Sequence, residues 1–255
     1  MKTWLLLGVL FLATMVGLEG RADAATGRWV VYLHGRGEGG WGGGLAAPEG
    51  WGTVDLRYNA TTATLAQANA GVTDGLRRFC SGDNVCIVVA YSNGSLQIGR
   101  TLAVAPDAVE NLLYVQGTGA AMGGSELASD CKIAEFFTKL VGQSICYPTG
   151  VDATLTPSGA RAAYDHNSPR PWYLVGGRTG ALNWIWYATS LFLPGSHDGV
   201  VAYHSAFGCT QAGRKSASCA KFQGLNLDPV CAPCRGAECG GDDHFAMKGR
   251  GAACF

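Results

Sequence analysis

Short apolar runs alternate along this chain with longer segments in which apolar residues recur every three or four positions. The runs are rich in β-branched and aromatic side chains, a composition typical of strands. One run, Cys-Ile-Val-Val-Ala at 86–90, is apolar throughout, which indicates a central parallel strand covered on both faces. The predicted strands are 28–33, 53–56, 86–90, 112–116 and 171–175.

Three segments have apolar residues at helical spacing and predict helices. They are residues 64–79, 95–104 and 126–141. Because strands and helices alternate, and because crossovers between parallel strands are right-handed, this order predicts a mostly parallel sheet with helices on both faces. The predicted fold class is therefore α/β, and residues 25–255 are expected to form a single domain.

The pattern changes toward the C-terminus. Residues 209–254 contain six of the ten cysteines, many glycines and little periodicity. We expect an irregular segment that lies over the sheet edge and is held there by disulfides. Zinc binding at Cys231 and Cys234 is the alternative, but the chain has only one cysteine pair with this spacing.

The N-terminal segment has the features of an export signal. Lys2 precedes an apolar stretch at 4–18, and Ala22 and Ala24 are the small residues that signal peptidase recognises. We predict that residues 1–24 are a signal peptide, cleaved after Ala24, and that the mature protein is secreted. A retained membrane anchor is less favoured, because the apolar stretch is shorter than the roughly 20 residues that span a bilayer.

All ten cysteines follow the predicted signal peptide. An even number of cysteines in an exported chain indicates disulfides, since the compartment is oxidising. Their pairing cannot be deduced from the sequence, although Cys80 with Cys86 and Cys131 with Cys146 are close enough for local bridges.

Charge and composition narrow the function classes. Lysine plus arginine and aspartate plus glutamate each number 19, so the net charge is zero and gives no long-range attraction to nucleic acid or to an anionic membrane. Hydrophobic residues make up 47% of the chain, which argues against a disordered protein. We therefore expect a small or apolar ligand and no nucleic-acid partner, and we predict no cofactor and no metal site.

The segment Ala90-Tyr91-Ser92-Asn93-Gly94 lies between the predicted central strand and a predicted helix. In a nucleophile elbow the serine lies on a turn so tight that small residues are needed two positions before and after it, and Ala90 and Gly94 meet that need. The N-terminus of the following helix favours negative charge on the serine oxygen. This context predicts that Ser92 is a nucleophile; the alternative is an ordinary serine in a strand-to-helix turn.

His34-Gly35 follows the first predicted strand and leads into a glycine-rich loop. Together with the elbow, this motif resembles the α/β-hydrolases, and in particular secreted bacterial triacylglycerol lipases. The resemblance implies an oxyanion hole formed by the backbone N–H groups of Arg36 and Asn93. The lipases usually have an apolar side chain where Arg36 stands, so the resemblance concerns its backbone alone. A simple glycine turn is the alternative.

The stretch Gly195-Ser-His-Asp198-Gly-Val-Val resembles the Asp-Gly-Leu-Val stretch that carries the catalytic acid of these lipases, which makes Asp198 the candidate acid. In the hydrolase order the acid follows a late strand and precedes the histidine. His244 lies near the C-terminus, where the family places its histidine, and is the candidate base. The alternatives are His204 as the base and a helix N-cap role for Asp198. The remaining histidines are excluded by their positions: His34, His166 and His197.

Two further features bear on ligands. Gly35-Arg-Gly-Glu-Gly-Gly40 matches the Gly-x-Gly-x-x-Gly fingerprint of dinucleotide sites, with Asp55 downstream, but the residues after it do not predict the helix that such a site requires. Residues 182–192 are densely aromatic and aliphatic. Such a segment lines an acyl pocket, makes transient contact with a lipid surface, or packs in the core.

These motifs predict a secreted serine hydrolase that cleaves carboxylic esters as a lipase or esterase does, through a triad of Ser92, His244 and Asp198 and an acyl-enzyme. Acyl transfer or cleavage of a polymeric ester would use the same triad. A secreted binding protein that keeps the fold without the chemistry is the alternative from another class. The expected substrate is a small-molecule or lipid ester.

Overall fold

The structure of the chain is a computed structural model, which describes residues 27–129, 150–163, 170–178, 189, 191–208, 225–226, 238–240 and 243–252. A seven-stranded parallel sheet forms the centre of this part of the chain. The strands are β1 (Arg28–Leu33), β2 (Gly52–Leu56), β3 (Val85–Tyr91), β4 (Leu112–Thr118), β5 (Trp172–Arg178), β6 (Leu225–Asn226) and β7 (Glu238–Gly240). Their order is β2-β1-β3-β4-β5, after which β6 and β7 both pair with β5.

Helices pack on both faces of this sheet, which confirms the predicted architecture. The helices are α1 (Leu65–Cys80), α2 (Asn93–Val104), α3 (Asp152–Leu155), α4 (Pro157–Ala162), α5 (Tyr203–Ala206) and α6 (His244–Ala252), with 3₁₀ turns at Pro106–Val109 and Glu126–Ser129. Alternate side chains of β1 enter two separate cores, as the pleat of a strand requires. Val31 and Leu33 belong to the core that contains residues of α1 and α2, whereas Tyr32 belongs to the core that contains Met247 of α6.

Local sequence signals explain the first long helix. Thr64 caps α1, because its hydroxyl accepts the N–H of Gln67 at 3.2 Å while the Gln67 side chain accepts the N–H of Thr64 at 2.9 Å. Val72 and Leu76 lie one turn apart and are buried. Burial of such side chains stabilises the fold by about 1.5–3 kcal/mol each, so packing as well as propensity holds α1 in place.

Strand β3 lies in the middle of the sheet, as its apolar composition predicts. It pairs with β1 on one side and β4 on the other, and residues 86–90 are buried. Leu33, Ala90 and Gly117 lie in register near the ends of these three strands. The loops that follow parallel strands therefore meet at one edge, which is where open α/β sheets bind ligands.

The later segments depart in detail from the prediction. Only a 3₁₀ turn at Glu126–Ser129 is described in the predicted helix at 126–141, and the remainder of that segment lies outside the described residues. The cysteine-rich segment includes two short strands, β6 and β7, and the helix α6. The two strands extend the sheet by pairing with β5, and α6 covers it. Strands of two or three residues are too short to show a periodic pattern, so the sequence did not predict them.

Cys80 and Cys86 form a disulfide that joins the end of α1 to β3, as their spacing suggested. The second suggested bridge, between Cys131 and Cys146, lies outside the described residues. The predicted signal peptide, residues 1–24, lies outside them too. Among the helices that are described, none has both the length and the apolar character needed to cross a bilayer.

Candidate active site

The turn between β3 and α2 holds Ser92 in a strained backbone conformation. Its φ of 51° makes it the only non-glycine residue with positive φ in the described part of the chain. Such strain persists only where neighbours enforce it. The N–H of Ser92 donates to the carbonyl of Thr118 at 3.3 Å, and its own carbonyl accepts the N–H of Ala121 at 3.2 Å. A Cβ on Gly94 would overlap the carbonyl oxygen of Leu33, so the tight turn needs glycine there.

Helix α2 begins directly after Ser92, at Asn93. Its N-terminus carries a partial positive charge, because the first N–H groups of a helix lack partners within it. An oxyanion that forms beside Ser92 would therefore lie at the favourable end of a 12-residue helix.

The described residues bring all three candidate triad side chains together. His244 is the first residue of α6, and its Nε2 lies 3.0 Å from Oγ of Ser92. Its Nδ1 lies 2.7 Å from Oδ2 of Asp198. A carboxylate only accepts hydrogen bonds, so Nδ1 carries the proton and Nε2 is free to accept the hydrogen of the serine hydroxyl. All three residues are buried, which strengthens these hydrogen bonds.

Asp198 is oriented by its own turn. Its Oδ1 accepts the backbone N–H groups of Val200 at 2.9 Å and Val201 at 2.7 Å, which leaves Oδ2 for His244. The backbone N–H of His244 also donates to the carbonyl of Asp198 at 2.8 Å. The alternative role of Asp198 as a helix N-cap is wrong, because the next helix begins at Tyr203 and is preceded by Ala202.

The other described histidines make different contacts. The ring of His34 stacks on Tyr58 at 4.0 Å between centroids, and burial lowers the pKa of His34. His197 accepts a backbone N–H through Nδ1, and burial lowers its pKa as well. His204, the alternative base, lies in α5 with its Nε2 3.4 Å from Oε1 of Glu126. Its contacts are thus unlike those of His244.

Two residues that shape the histidine site were missed by the sequence analysis. The ring of Tyr91 lies 5.0 Å from the ring of His244. Gly119 follows β4 with a φ of 53°, and a Cβ there would lie 3.3 Å from Nδ1 of His244. Gly119 therefore leaves room for the imidazole. Its sequence neighbourhood carries no motif that would have identified it.

The loop after β1 lies against the elbow. A Cβ on Gly35 would lie 2.7 Å from the ring of Tyr91, so the loop backbone is in close contact with that side chain. The guanidinium of Arg36 forms an ion pair with Asp152, in which Nη2 donates to Oδ2 at 2.7 Å. The structure thus brings the segment that contains Arg36 next to the strand that ends in the elbow, while Asn93 begins α2.

The dinucleotide interpretation of the glycine-rich loop fails on two counts. No helix begins between β1 and β2, a stretch that is fully described, so there is no helix N-terminus for a pyrophosphate. The carboxylate of Asp55, the downstream acid, instead accepts the backbone N–H of Trp41 at 2.9 Å. This aspartate anchors the loop.

Most of the aromatic segment at 182–192 lies outside the described residues, as do Cys231 and Cys234. Of its described part, Leu191 is 73% exposed and Phe192 is 38% exposed. In the described ranges no group of three histidine, cysteine or acidic residues could hold a metal ion.

Sequence comparison matches the chain to no family model and to no curated protein. Solved structures do resemble it. The mature lipase BlEst2 of Bacillus licheniformis is 18% identical and aligns over 88% of this chain and 87% of its own, with a TM-score of 0.59. The metagenomic carboxyl esterase MGS0156 is 18% identical over 71% of this chain and 60% of its own, with a TM-score of 0.52. The phospholipase PlaB of Legionella pneumophila is 12% identical over 80% of this chain and 53% of its own, with a TM-score of 0.50. This chain has the α/β-hydrolase fold.

Proposed function

We propose that this protein is a serine hydrolase that cleaves carboxylic esters, with Ser92 as nucleophile, His244 as general base and acid, and Asp198 as the residue that orients the imidazole. The observation that carries the proposal is the buried series of contacts from Ser92 Oγ to His244 Nε2, and from His244 Nδ1 to Asp198 Oδ2. The resemblance in fold to a lipase, a carboxyl esterase and a phospholipase supports the same reaction class.

The reaction divides into two displacements. Ser92 Oγ attacks the ester carbonyl carbon while its proton moves to Nε2 of His244, and the tetrahedral intermediate then expels the alcohol, which takes that proton. Water next gives a proton to Nε2 while its oxygen attacks the acyl carbon. The carboxylic acid leaves, and the proton returns to Ser92. Asp198 stays ionised throughout and stabilises the imidazolium.

The negative charge on the carbonyl oxygen needs two donors during both displacements. The proposed donors are the backbone N–H groups of Arg36 and Asn93. Loss of one such donor typically slows an enzyme by about 10²–10³. The guanidinium of Arg36, which pairs with Asp152, has no part in this step and instead anchors the loop.

Covalent labelling is the direct test. A fluorophosphonate probe should modify the wild-type protein once, at the peptide that contains Ser92, and should leave Ser92→Ala unmodified. A binding protein with the fold alone would remain unlabelled, which would refute the proposal. Hydrolysis of p-nitrophenyl esters of increasing acyl length would then define the substrate and separate hydrolysis from acyl transfer to an added alcohol.

The base assignment has a matched control within the chain. His244→Ala should lower kcat by at least about a thousandfold with the fold intact, as loss of a triad member does. His204→Ala, which changes a buried histidine that contacts Glu126, should retain most of the activity. The opposite result would assign the base to His204.

The proposed substrate is a small-molecule or lipid ester. Phe245 is 56% exposed although it follows the buried His244, and Leu191 is also exposed. These side chains support transient contact with a lipid surface. Phe245→Ser should then reduce activity on emulsified or micellar esters more than on a soluble short-chain ester, and equal loss on both would contradict this contact.

Export completes the proposal. We expect a signal peptide at residues 1–24, with cleavage after Ala24. Expression of the full chain with its N-terminal segment should place activity outside the cytoplasm. N-terminal sequencing of the exported protein should begin at Ala25, and a product that still begins at Met1 would contradict cleavage.

A further inference from the structure

A second set of contacts joins the helix that carries His244 to the loop that carries Arg36. Lys248 lies one helical turn after His244 on α6, and its Nζ is 2.6 Å from Oε1 of Glu38. The other oxygen of Glu38 accepts the backbone N–H of Gly35 at 2.8 Å. A single carboxylate therefore binds both elements.

This ion pair is partly buried and lies beside two aromatic rings. The Lys248 ammonium lies 5.6 Å from the ring centroid of Trp41 and 5.9 Å from that of Tyr91. These two aromatic rings attract the ammonium in addition to the carboxylate of Glu38. Lys248 is 19% exposed and Glu38 is 29% exposed. By comparison, the surface pair of Arg77 and Asp107 is 45% and 71% exposed. Pairs as exposed as the latter contribute little, because solvent competes for both charges.

Tyr91 also contacts both of the elements that this ion pair joins, α6 and the loop after β1. Its ring lies 5.0 Å from the ring of His244, and Gly35 lies in close contact with its edge. Glu38, Lys248 and Tyr91 thus form one contiguous cluster between the imidazole and the loop. The two ring nitrogens of His244 have Ser92 and Asp198 as their hydrogen-bond partners, so the cluster acts on them indirectly.

The two elements that the cluster joins need a fixed separation. A proton can pass from Ser92 to His244 only if α6 keeps Nε2 within hydrogen-bond distance of the serine, and a donor after Gly35 must reach the carbonyl of the same substrate. A shift of about 1 Å in such positions can cost about a hundredfold in rate. A link between α6 and the loop would therefore preserve both distances together.

We infer that Glu38 and Lys248 are positioning residues, whose ion pair holds the helix of His244 and the oxyanion loop at a fixed separation around Ser92. This inference rests on the proposed function of the site. It gives Lys248 a role through its ammonium, and it gives Glu38 a double role, since one oxygen binds the lysine and the other binds the loop.

Steady-state kinetics on a soluble p-nitrophenyl ester test the inference. Lys248→Met keeps an unbranched side chain that is one atom shorter and removes its charge, and it should lower kcat by about tenfold while KM changes by less than about twofold. Lys248→Arg restores the charge and should recover kcat to within about threefold of wild type. Arg77→Met, which removes one of the exposed cations of α1, should leave kcat unchanged.

A double-mutant cycle shows whether the two residues act together. Glu38→Gln keeps an oxygen for the N–H of Gly35 but loses the ion pair, so it should resemble Lys248→Met. The double variant should be no slower than either single variant, because both changes break the same link. Where Lys248→Met fails to fold, Glu38→Gln and Lys248→Arg supply the measurement.

Several results would overturn the inference. An unchanged kcat in Lys248→Met would overturn it. If that variant also had a lower melting temperature, the ion pair would have a structural role alone. Multiplicative losses in the double variant would also overturn the inference. Failure of the proposed function is distinguishable, since in that case the wild-type protein itself would not react with a fluorophosphonate at Ser92.

Discussion

The backbone strain at Ser92, the proposed nucleophile, predicts an unusual preference between two small residues at this position. With φ at 51° and ψ at −120°, residue 92 occupies a region that costs an L-residue about 1–3 kcal/mol. Glycine has no such cost. It does make the unfolded chain more flexible, which lowers the free energy of unfolding by about 0.5–1 kcal/mol. At the middle of these two ranges, about 2 and about 0.75 kcal/mol, Ser92→Gly should have a free energy of unfolding about 1 kcal/mol greater than that of Ser92→Ala.

Thermal and urea denaturation measure this difference. Both variants lack the hydroxyl, so the hydrogen bond to His244 is lost equally in each and does not affect the comparison. For a protein of this size, 1 kcal/mol corresponds to about 2–4 °C in Tm, so the glycine variant should melt about 2–4 °C above the alanine variant. The two urea transitions should have equal slopes, which shows that stability alone has changed.

Gly71 provides a control of opposite sign. It lies in the middle of α1 with open space around its Cα, so Gly71→Ala should stabilise the protein by about 0.5–1 kcal/mol. Alanine is thus expected to be favoured at residue 71 and disfavoured at residue 92. If alanine at residue 92 were as stable as glycine there, the strain assigned to the elbow would be refuted.

Three further predictions follow from the site and its supports. Asp198→Asn keeps an oxygen for its turn but presents an amide N–H₂ to Nδ1 of His244. Nδ1 must then accept and Nε2 carries the proton, so Nε2 can no longer take the serine proton and kcat should fall by about 10⁴. Asp107→Asn on the surface is the control, and a loss of kcat below tenfold in Asp198→Asn would contradict the assignment. Thr64→Ala removes the capping box of α1 and should cost about 1 kcal/mol in a urea unfolding titration, with kcat unchanged. Burial lowers the pKa of His34 and of His197, so below their usual pKa near 6.5 the unfolded chain binds more protons than the folded one. The free energy of unfolding should therefore decrease as pH falls from 7 to about 5.5, and an increase over that range would contradict the buried, neutral histidines.

Features that depend on neighbours in sequence were predictable. The apolar run of β3, the helical spacing of apolar residues in α1 and the small residues around Ser92 all act within a few positions, so the physical reason for each can be read locally. Their positions in the structure differ from the predicted ones by only a few residues. The parallel direction of the strands followed from the alternation of strands and helices along the chain.

Contacts between distant residues were not predictable in the same way. His244 lies 152 positions from Ser92 and 46 from Asp198, and only a resemblance to known lipases suggested that they meet. Glu38 and Lys248 are 210 positions apart, and no motif joins them. The pairing of β6 and β7 with β5 depends on tertiary contacts as well, since two or three residues carry no periodic pattern.

The close contacts at Gly35 and Gly94 show why these two positions accept no side chain. Gly94 packs against main-chain atoms at the end of β1, and Gly35 packs against the ring of Tyr91, which precedes Ser92. The spacing of the two proposed amide donors thus depends on the close approach that these two glycines allow. The two glycines are therefore the positions at which an inserted methyl group would push apart the two backbone amides proposed to bind the carbonyl oxygen.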